Sequence, residues 1–238
     1  MTILRLVLGD QLNQQIASLR DLNSDDDIVL MAEVGAEVTY VKHHKRKIAF
    51  LFAAMRHFAD ELRQAGARGM YCQFDDPDNG GSLESEVRRA IATYQATKLV
   101  VTMPAEYRLM QIMQGWQSSL GIEVELREDD RFLCRVDRFA EWADGRRQLR
   151  MDFFYREMRR THNILMGGEN PVGGKWNFDS DNRESPKAGM VIPPPLQFAP
   201  DEVTQTVIDL VATRCADHFG DLEDFGFAVT RQQALAVL

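Results

Sequence analysis

Several groups of residues in this 238-residue sequence have types and spacings that could do chemistry. Gly9-Asp10-Gln11 follows a short apolar run. A glycine there lets a ligand approach the backbone, and the next two side chains offer hydrogen bonds. The plainer role is Asp10 capping the helix that follows. The pattern is not GxGxxG, so a dinucleotide pyrophosphate site is not supported. Glu33, Glu37 and Tyr40, followed by Val41, come after a second apolar run. Carboxylates and a phenol suit the hydroxyls and ring nitrogens of a polar heterocycle, and they suit a solvated surface loop equally well. Lys42-His43-His44-Lys45-Arg46-Lys47 could hold phosphates. Its cations oppose the dipole of the helix they open, and such a run is commonly a solvated face. No Cys or acidic partner stands at metal-ligand spacing, so zinc is rejected.

The second half carries two more groups. Arg146, Arg147, Arg150, Arg156, Arg159 and Arg160 crowd one segment, and the last three share a helix face. That positive stripe fits a phosphate backbone or the acidic residues of another domain. Gly173-Gly174-Lys175-Trp176-Asn177-Phe178-Asp179, with Asn182 and Arg183, combines glycines, two aromatics, an amide and cations. Aromatics stack on exposed bases and Arg pairs with phosphate, while a linker pinned by its own rings reads the same way. GxSxG, a Walker A loop and HExxH are absent, and no nucleophile–base pair emerges.

The elements that must position these groups follow from periodicity. Apolar runs at 3–8, 28–34, 70–74, 99–103 and 122–126 read as strands. Spacings of three and four over 47–65, 82–94 and 106–120 read as helices, with Gly66 and Gly121 as stops. Alternation of strand and helix implies a five-stranded parallel, Rossmann-like α/β sheet with helices on both faces, over residues 1–130. Ligands of such sheets sit outside the carboxyl ends of the strands, where Asp10 and Glu37 fall. Residues 131–200 then read as a helical connector (136–143 and 149–165) and a long irregular loop rich in Gly, Pro, Asn and Asp. Residues 201–238 read as the first helices of a further helical domain, over 201–219 and 232–238, with a capping box of Thr230 and Gln233. The last helix runs to Leu238 without a closing cap, so the chain reads as truncated, with Val203, Val207, Leu235 and Leu238 expected to be uncovered. A homodimer through these helices would cover them.

Composition bounds the rest. Apolar residues are 45% and charged residues 27%, as in ordinary globular chains. A net charge of −8 argues against non-specific coating of nucleic acid but allows a local basic face. No apolar run is long enough to span a membrane, and the start lacks the marks of a signal peptide. Cys72, Cys134 and Cys215 lie far apart, which disfavours a disulfide scaffold or zinc ribbon and fits a cytoplasmic setting.

Several strings together carry a resemblance: LVLGDQL (6–12), MAEVGAEVTYVKHHKRK (31–47), AMRHFADEL (54–62), RFLC (131–134), GRRQLRMDFFYREMRRTHNILM (145–166) and GGKWNFDSDNR (173–183). The sequence resembles the deoxyribodipyrimidine photolyase-related proteins, the bacterial iron–sulfur branch of the photolyase/cryptochrome family that includes prokaryotic (6-4) photolyases. The resemblance implies an antenna domain over 1–130 that binds 6,7-dimethyl-8-ribityllumazine. It also implies a longer protein whose helical domain holds FAD and a [4Fe-4S] cluster, and which repairs (6-4) pyrimidine photoproducts in DNA with light. FAD and the cluster are expected only beyond Leu238, because the three cysteines lack cluster spacing. Gly9, Asp10, Glu37 and Tyr40 match the antenna-pocket motifs, and Gln11 and Glu33 stand on the same rim. Arg183 matches the interdomain loop that approaches DNA, while Lys187, Arg159 and Arg160 join it on charge and position. The chain alone is not expected to repair DNA. Two other readings stay open: a stand-alone nucleic-acid-binding or sensory module, and a nucleotide-binding α/β hydrolase or transferase.

Overall fold

Apolar runs bounded by turns make central parallel strands that are covered on both faces. Residues 1–129 form such a sheet in a computed structural model, which describes residues 1–180, 183, 185 and 189–238. The strands are β1 (Ile3–Leu6), β2 (Ile28–Ala32), β3 (Gly69–Cys72), β4 (Lys98–Thr102) and β5 (Glu123–Arg127). They lie in the order β3-β2-β1-β4-β5, and every pair is parallel. The expected α/β class and all five expected strands are therefore present, with ends shifted by one or two residues.

Side chains alternate between two cores, as a two-residue period demands. Leu4, Leu6, Ile28, Leu30, Leu99 and Val101 face one core, which α3 (Leu83–Tyr94), α4 (Tyr107–Gln114) and α5 (Trp116–Leu120) cover. Val7, Val29 and Met31 face the other, beneath α2 (Lys45–Gln64). Ser82 opens α3 with a capping box: its hydroxyl accepts from Ser85 N, and the Ser85 side chain accepts in return from Ser82 N. Ser82→Ala is expected to lower stability by about 1 kcal/mol, measured by urea unfolding.

Three differences from the sequence reading have physical causes. The strand–helix alternation placed a helix between β1 and β2, but that crossover holds only a 3-10 turn at Ala17–Leu19. Its backbone finds side-chain partners instead. Arg5, only 2% exposed, binds Asp27 Oδ2 at 2.6 Å and the Ser18 carbonyl at 2.7 Å. Thr102 Oγ1 accepts from Ser18 N at 2.8 Å. A short helix, α1 (Gly35–Thr39), carries Glu37, and the sequence shows no helical period there because only Val38 of it is buried. The helix expected over 106–120 breaks at Gly115, where Trp116 turns into the core.

The second half of the sequence divides differently in space. Residues 196–238 belong to the same compact unit as 1–129, and residues 130–195 form a second unit. In the first unit α8 (Glu202–Arg214) lies on α2, N-capped by Asp201, which accepts from Thr204 N at 2.9 Å. Val207 and Val211 are fully buried in the core under α2. The expectation that Val207 is uncovered is thus corrected, since α2 supplies the cover within the same chain. Leu235 and Leu238, in and after α9 (Arg231–Val237), are exposed as expected. The Thr230–Gln233 capping box is present.

The second unit is built on α6 (Val136–Ala143) and α7 (Met151–Thr161), whose Phe139, Trp142 and Phe154 rings meet at 4.9–5.6 Å. A two-stranded hairpin of β6 (Met166–Gly167) and β7 (Asn170–Pro171) follows. α7 stops earlier than the sequence reading, because Asn163 and Leu165 take positive φ beyond it. Among the described residues no helix is long and apolar enough to cross a membrane.

Candidate functional site

At the carboxyl ends of β1 and β2 the first unit holds a cavity of about 300 Å³. That is the low end of ligand pockets and suits a compact heterocycle. Its floor is apolar, made by Val7, Ala32, Phe52, Met55 and Leu109. Gly9 keeps the wall thin: a Cβ there would stand 3.0 Å from Met55 Sδ. The polar rim comes from five places in the chain, with Asp10 after β1, Glu37 on α1, His43 just before α2, Lys47 in the first turn of α2, and Glu106 before α4. Tyr40 completes it and is 45% exposed.

Arg108, which sequence reasoning missed, organises this rim. Its guanidinium donates to both Glu37 oxygens, at 3.2 and 2.6 Å, and from Nε to Glu106 Oε1 at 2.8 Å. It also lies over the Tyr40 ring, 4.3 Å from the centroid. The hydrogen bonds to Glu37 raise its pKa further above the ordinary value, so it is a fixed cation. The one sequence signal was its place in the first turn of the helix after β4, on the same edge of the sheet as Asp10.

Lys47 Nζ lies 3.1 Å from His43 Nδ1. An ammonium only donates, so Nδ1 accepts and the ring proton sits on Nε2. Burial, and then the charge of Lys47, hold the His43 pKa below its ordinary value. The ring is therefore neutral at neutral pH. Among the described residues the wall of this cavity contains no serine, threonine or cysteine. Hydrogen-bonding groups beside apolar side chains suit a polar heterocycle.

The structure brings Gly9, Asp10, Glu37 and Tyr40 together at this cavity. Gln11 and Glu33 do not line it. The Gln11 side chain is buried and spans from Leu8 N (3.3 Å) to the Thr102 carbonyl (3.1 Å), tying the ends of β1 and β4. The Glu33 carboxylate is fully buried. It accepts from Arg56 Nε and Nη2 at 2.7 and 2.9 Å, from Tyr71 Oη at 2.6 Å and from Phe74 N at 2.8 Å. The basic run divides, with His43 and Lys47 at the cavity and Lys42 and Arg46 bound to residues 217–223.

In the second unit Arg159 is 6% exposed, and its guanidinium donates to the carbonyls of Ile164, Leu165 and Trp176. It closes the end of α7 and faces inward. Arg160 is exposed and lies 4.5 Å from the Trp176 ring centroid. Arg183 is exposed, with its backbone N–H bonded to the Ser180 carbonyl. Lys187 lies outside the described residues. Cys72 and Cys215 sit in the cores on opposite faces of the sheet, so they cannot share a metal cluster, and burial pushes the Cys72 thiol up to about 12.

Comparison with known proteins adds a family to this geometry. A family model described as deoxyribodipyrimidine photo-lyase-related protein matches residues 5–227. A (6-4) photolyase of Agrobacterium fabrum is 49% identical over 234 residues, which is 98% of this chain and 46% of that protein. The chain thus spans about half the length of that relative. An uncharacterized protein, R852, of Acanthamoeba polyphaga mimivirus is 22% identical over 150 residues, covering 61% of this chain and 74% of that protein.

Proposed function

The chain belongs to the deoxyribodipyrimidine photo-lyase-related protein family, and from that premise we propose that its α/β unit binds an antenna pigment, 6,7-dimethyl-8-ribityllumazine. The observation that carries this reading is the cavity over β1 and β2, with carboxylates and a phenol on its rim and an apolar floor. Bound there, the pigment would supply absorption of near-ultraviolet to violet light for transfer to a flavin. The residues have only to bind, orient and exclude water. Asp10 and Glu37 accept hydrogen bonds from ribityl hydroxyls or ring N–H groups, and Tyr40 and neutral His43 can donate. Phe52, Met55 and Leu109 cover the ring faces and keep water out.

In this reading the whole protein repairs (6-4) photoproducts in DNA. On the same reading FAD and a [4Fe-4S] cluster are held by a further helical region, while residues 201–238 pack with the α/β unit. The three free cysteines fit a cytoplasmic setting. A hydrolase or transferase reading finds no serine, threonine or cysteine nucleophile in the cavity wall among the described residues. The test is a titration of the purified chain with ribityllumazine, followed by absorption and fluorescence. Saturable one-to-one binding with a shifted band is expected, and an unchanged spectrum at saturating pigment would refute the reading.

DNA contact by the second unit rests on its surplus of cations stacked on rings. It carries twelve Lys and Arg against ten Asp and Glu, in a chain of net charge −8. Arg160 over Trp176, Arg150 over Phe153 and Lys175 near Phe178 follow one pattern. Arg160→Ala and Arg183→Ala are each expected to weaken DNA binding by the chain across sequences and to reduce the salt slope by about 1. Arg159→Ala should instead loosen the fold of its unit.

A further inference from the structure

The geometry points to residues 217–223 as a strap that positions the rim of the pigment cavity, with His218 as its central positioning residue; this rests on the pigment reading above. The rim segment 40–44 joins α1 to α2 without belonging to either. It supplies Tyr40 and His43 to the cavity, and Lys47 follows one turn into α2. Such a short irregular segment has few backbone partners of its own, so its conformation depends on what holds it from behind.

Residues 217–223 hold it there. Phe219 O accepts from Lys45 N at 3.0 Å, and His218 Nδ1 lies 3.0 Å from the His43 carbonyl. A carbonyl only accepts, so Nδ1 carries the proton and donates. His218 is 6% exposed, so this bond is shielded from water. Arg46 donates to Asp221 Oδ1 at 2.5 Å and to the Glu223 carbonyl at 2.7 Å. Lys42 and Asp217 pair at 3.6 Å, but both are exposed and contribute little.

Gly220 makes the close approach possible. It has φ +82°, and a Cβ there would stand 2.0 Å from His44 Nε2. The His44 ring is packed edge-on against Phe219 at 5.2 Å, and its Nδ1 caps α2 by accepting from Arg46 N at 3.0 Å. A side chain at 220 would therefore displace the cap from which Lys47 projects. None of residues 217–223 lines the cavity. Their influence runs through the backbone at His43 and the first turn of α2.

The test compares ribityllumazine affinity, unfolding midpoint and amide hydrogen exchange in four full chains: wild type, His218→Ala, His218→Asn and Gly220→Ala. His218→Ala is expected to raise Kd about tenfold and to speed exchange at residues 42–47. His218→Asn places an amide N–H near the Nδ1 position and should restore both. Gly220→Ala should weaken binding by a similar factor. A purely structural role would lower the midpoint of every variant in step with affinity and would show no Asn rescue. That result overturns the proposal, as do variants that bind and exchange like wild type. If wild-type chain binds no ribityllumazine, the pigment reading fails instead. The exchange rates at 42–47 still decide whether His218 holds the rim.

Discussion

Arg108→Ala will weaken ribityllumazine binding by roughly 10- to 100-fold while leaving the chain folded. Arg108 is the hub of the rim, bidentate to Glu37, bonded to Glu106 and stacked on Tyr40. Removing it releases three side chains that face the cavity. Glu37 then carries an uncompensated charge beside the ligand, and Tyr40 loses the cation that fixes its ring. Because Arg108 is partly exposed, its loss costs the fold little. Glu37→Ala should weaken binding by about 1–3 kcal/mol on its own. The double variant should show less than the sum, because the two side chains act as one unit. Strict additivity would show that they contact the pigment independently.

Glu33→Ala will destabilise the chain by about 3–5 kcal/mol, the scale for breaking a buried ion pair. Four donors converge on this fully buried carboxylate from Arg56, Tyr71 and Phe74 N. Without it the Arg56 guanidinium stays buried and unpaired. Burial and then the charge of Glu33 hold the Tyr71 phenol well above its ordinary pKa, so it is a proton donor throughout the physiological range. Glu33→Gln keeps the shape and should cost less. Urea unfolding of the variants gives the comparison. A Glu33→Ala chain as stable as wild type that no longer binds pigment would make Glu33 a ligand and contradict its structural role.

The contrast between Glu33 and Glu37 shows where sequence reading stops. Both follow β2, and both have the residue type a polar heterocycle needs. Only the fold shows that Arg56 and Tyr71 claim the first, and that Arg108, 71 positions away, turns the second toward the cavity. The strands themselves were legible because a buried parallel strand such as β2, covered at all five positions, must be a continuous apolar run. α1 was not, because five residues with one buried position leave no helical period. Arg159 illustrates the same limit. Its place in an arginine stripe suggests a surface cation, yet the carbonyls of Ile164 and Leu165 just past α7, and that of Trp176 beyond the hairpin, draw it inward. The split of the basic run between the cavity and residues 217–223 depends on contacts across more than 170 positions, which local pattern cannot carry.

The account stands on one cavity being the pigment's place, and a crystal structure of the chain soaked with ribityllumazine tests this most directly. The prediction is difference density for the pigment between Gly9, Glu37, Tyr40 and Leu109, above Met55. Density for the pigment elsewhere on the chain, or a cavity filled only by water at saturating pigment, would contradict it.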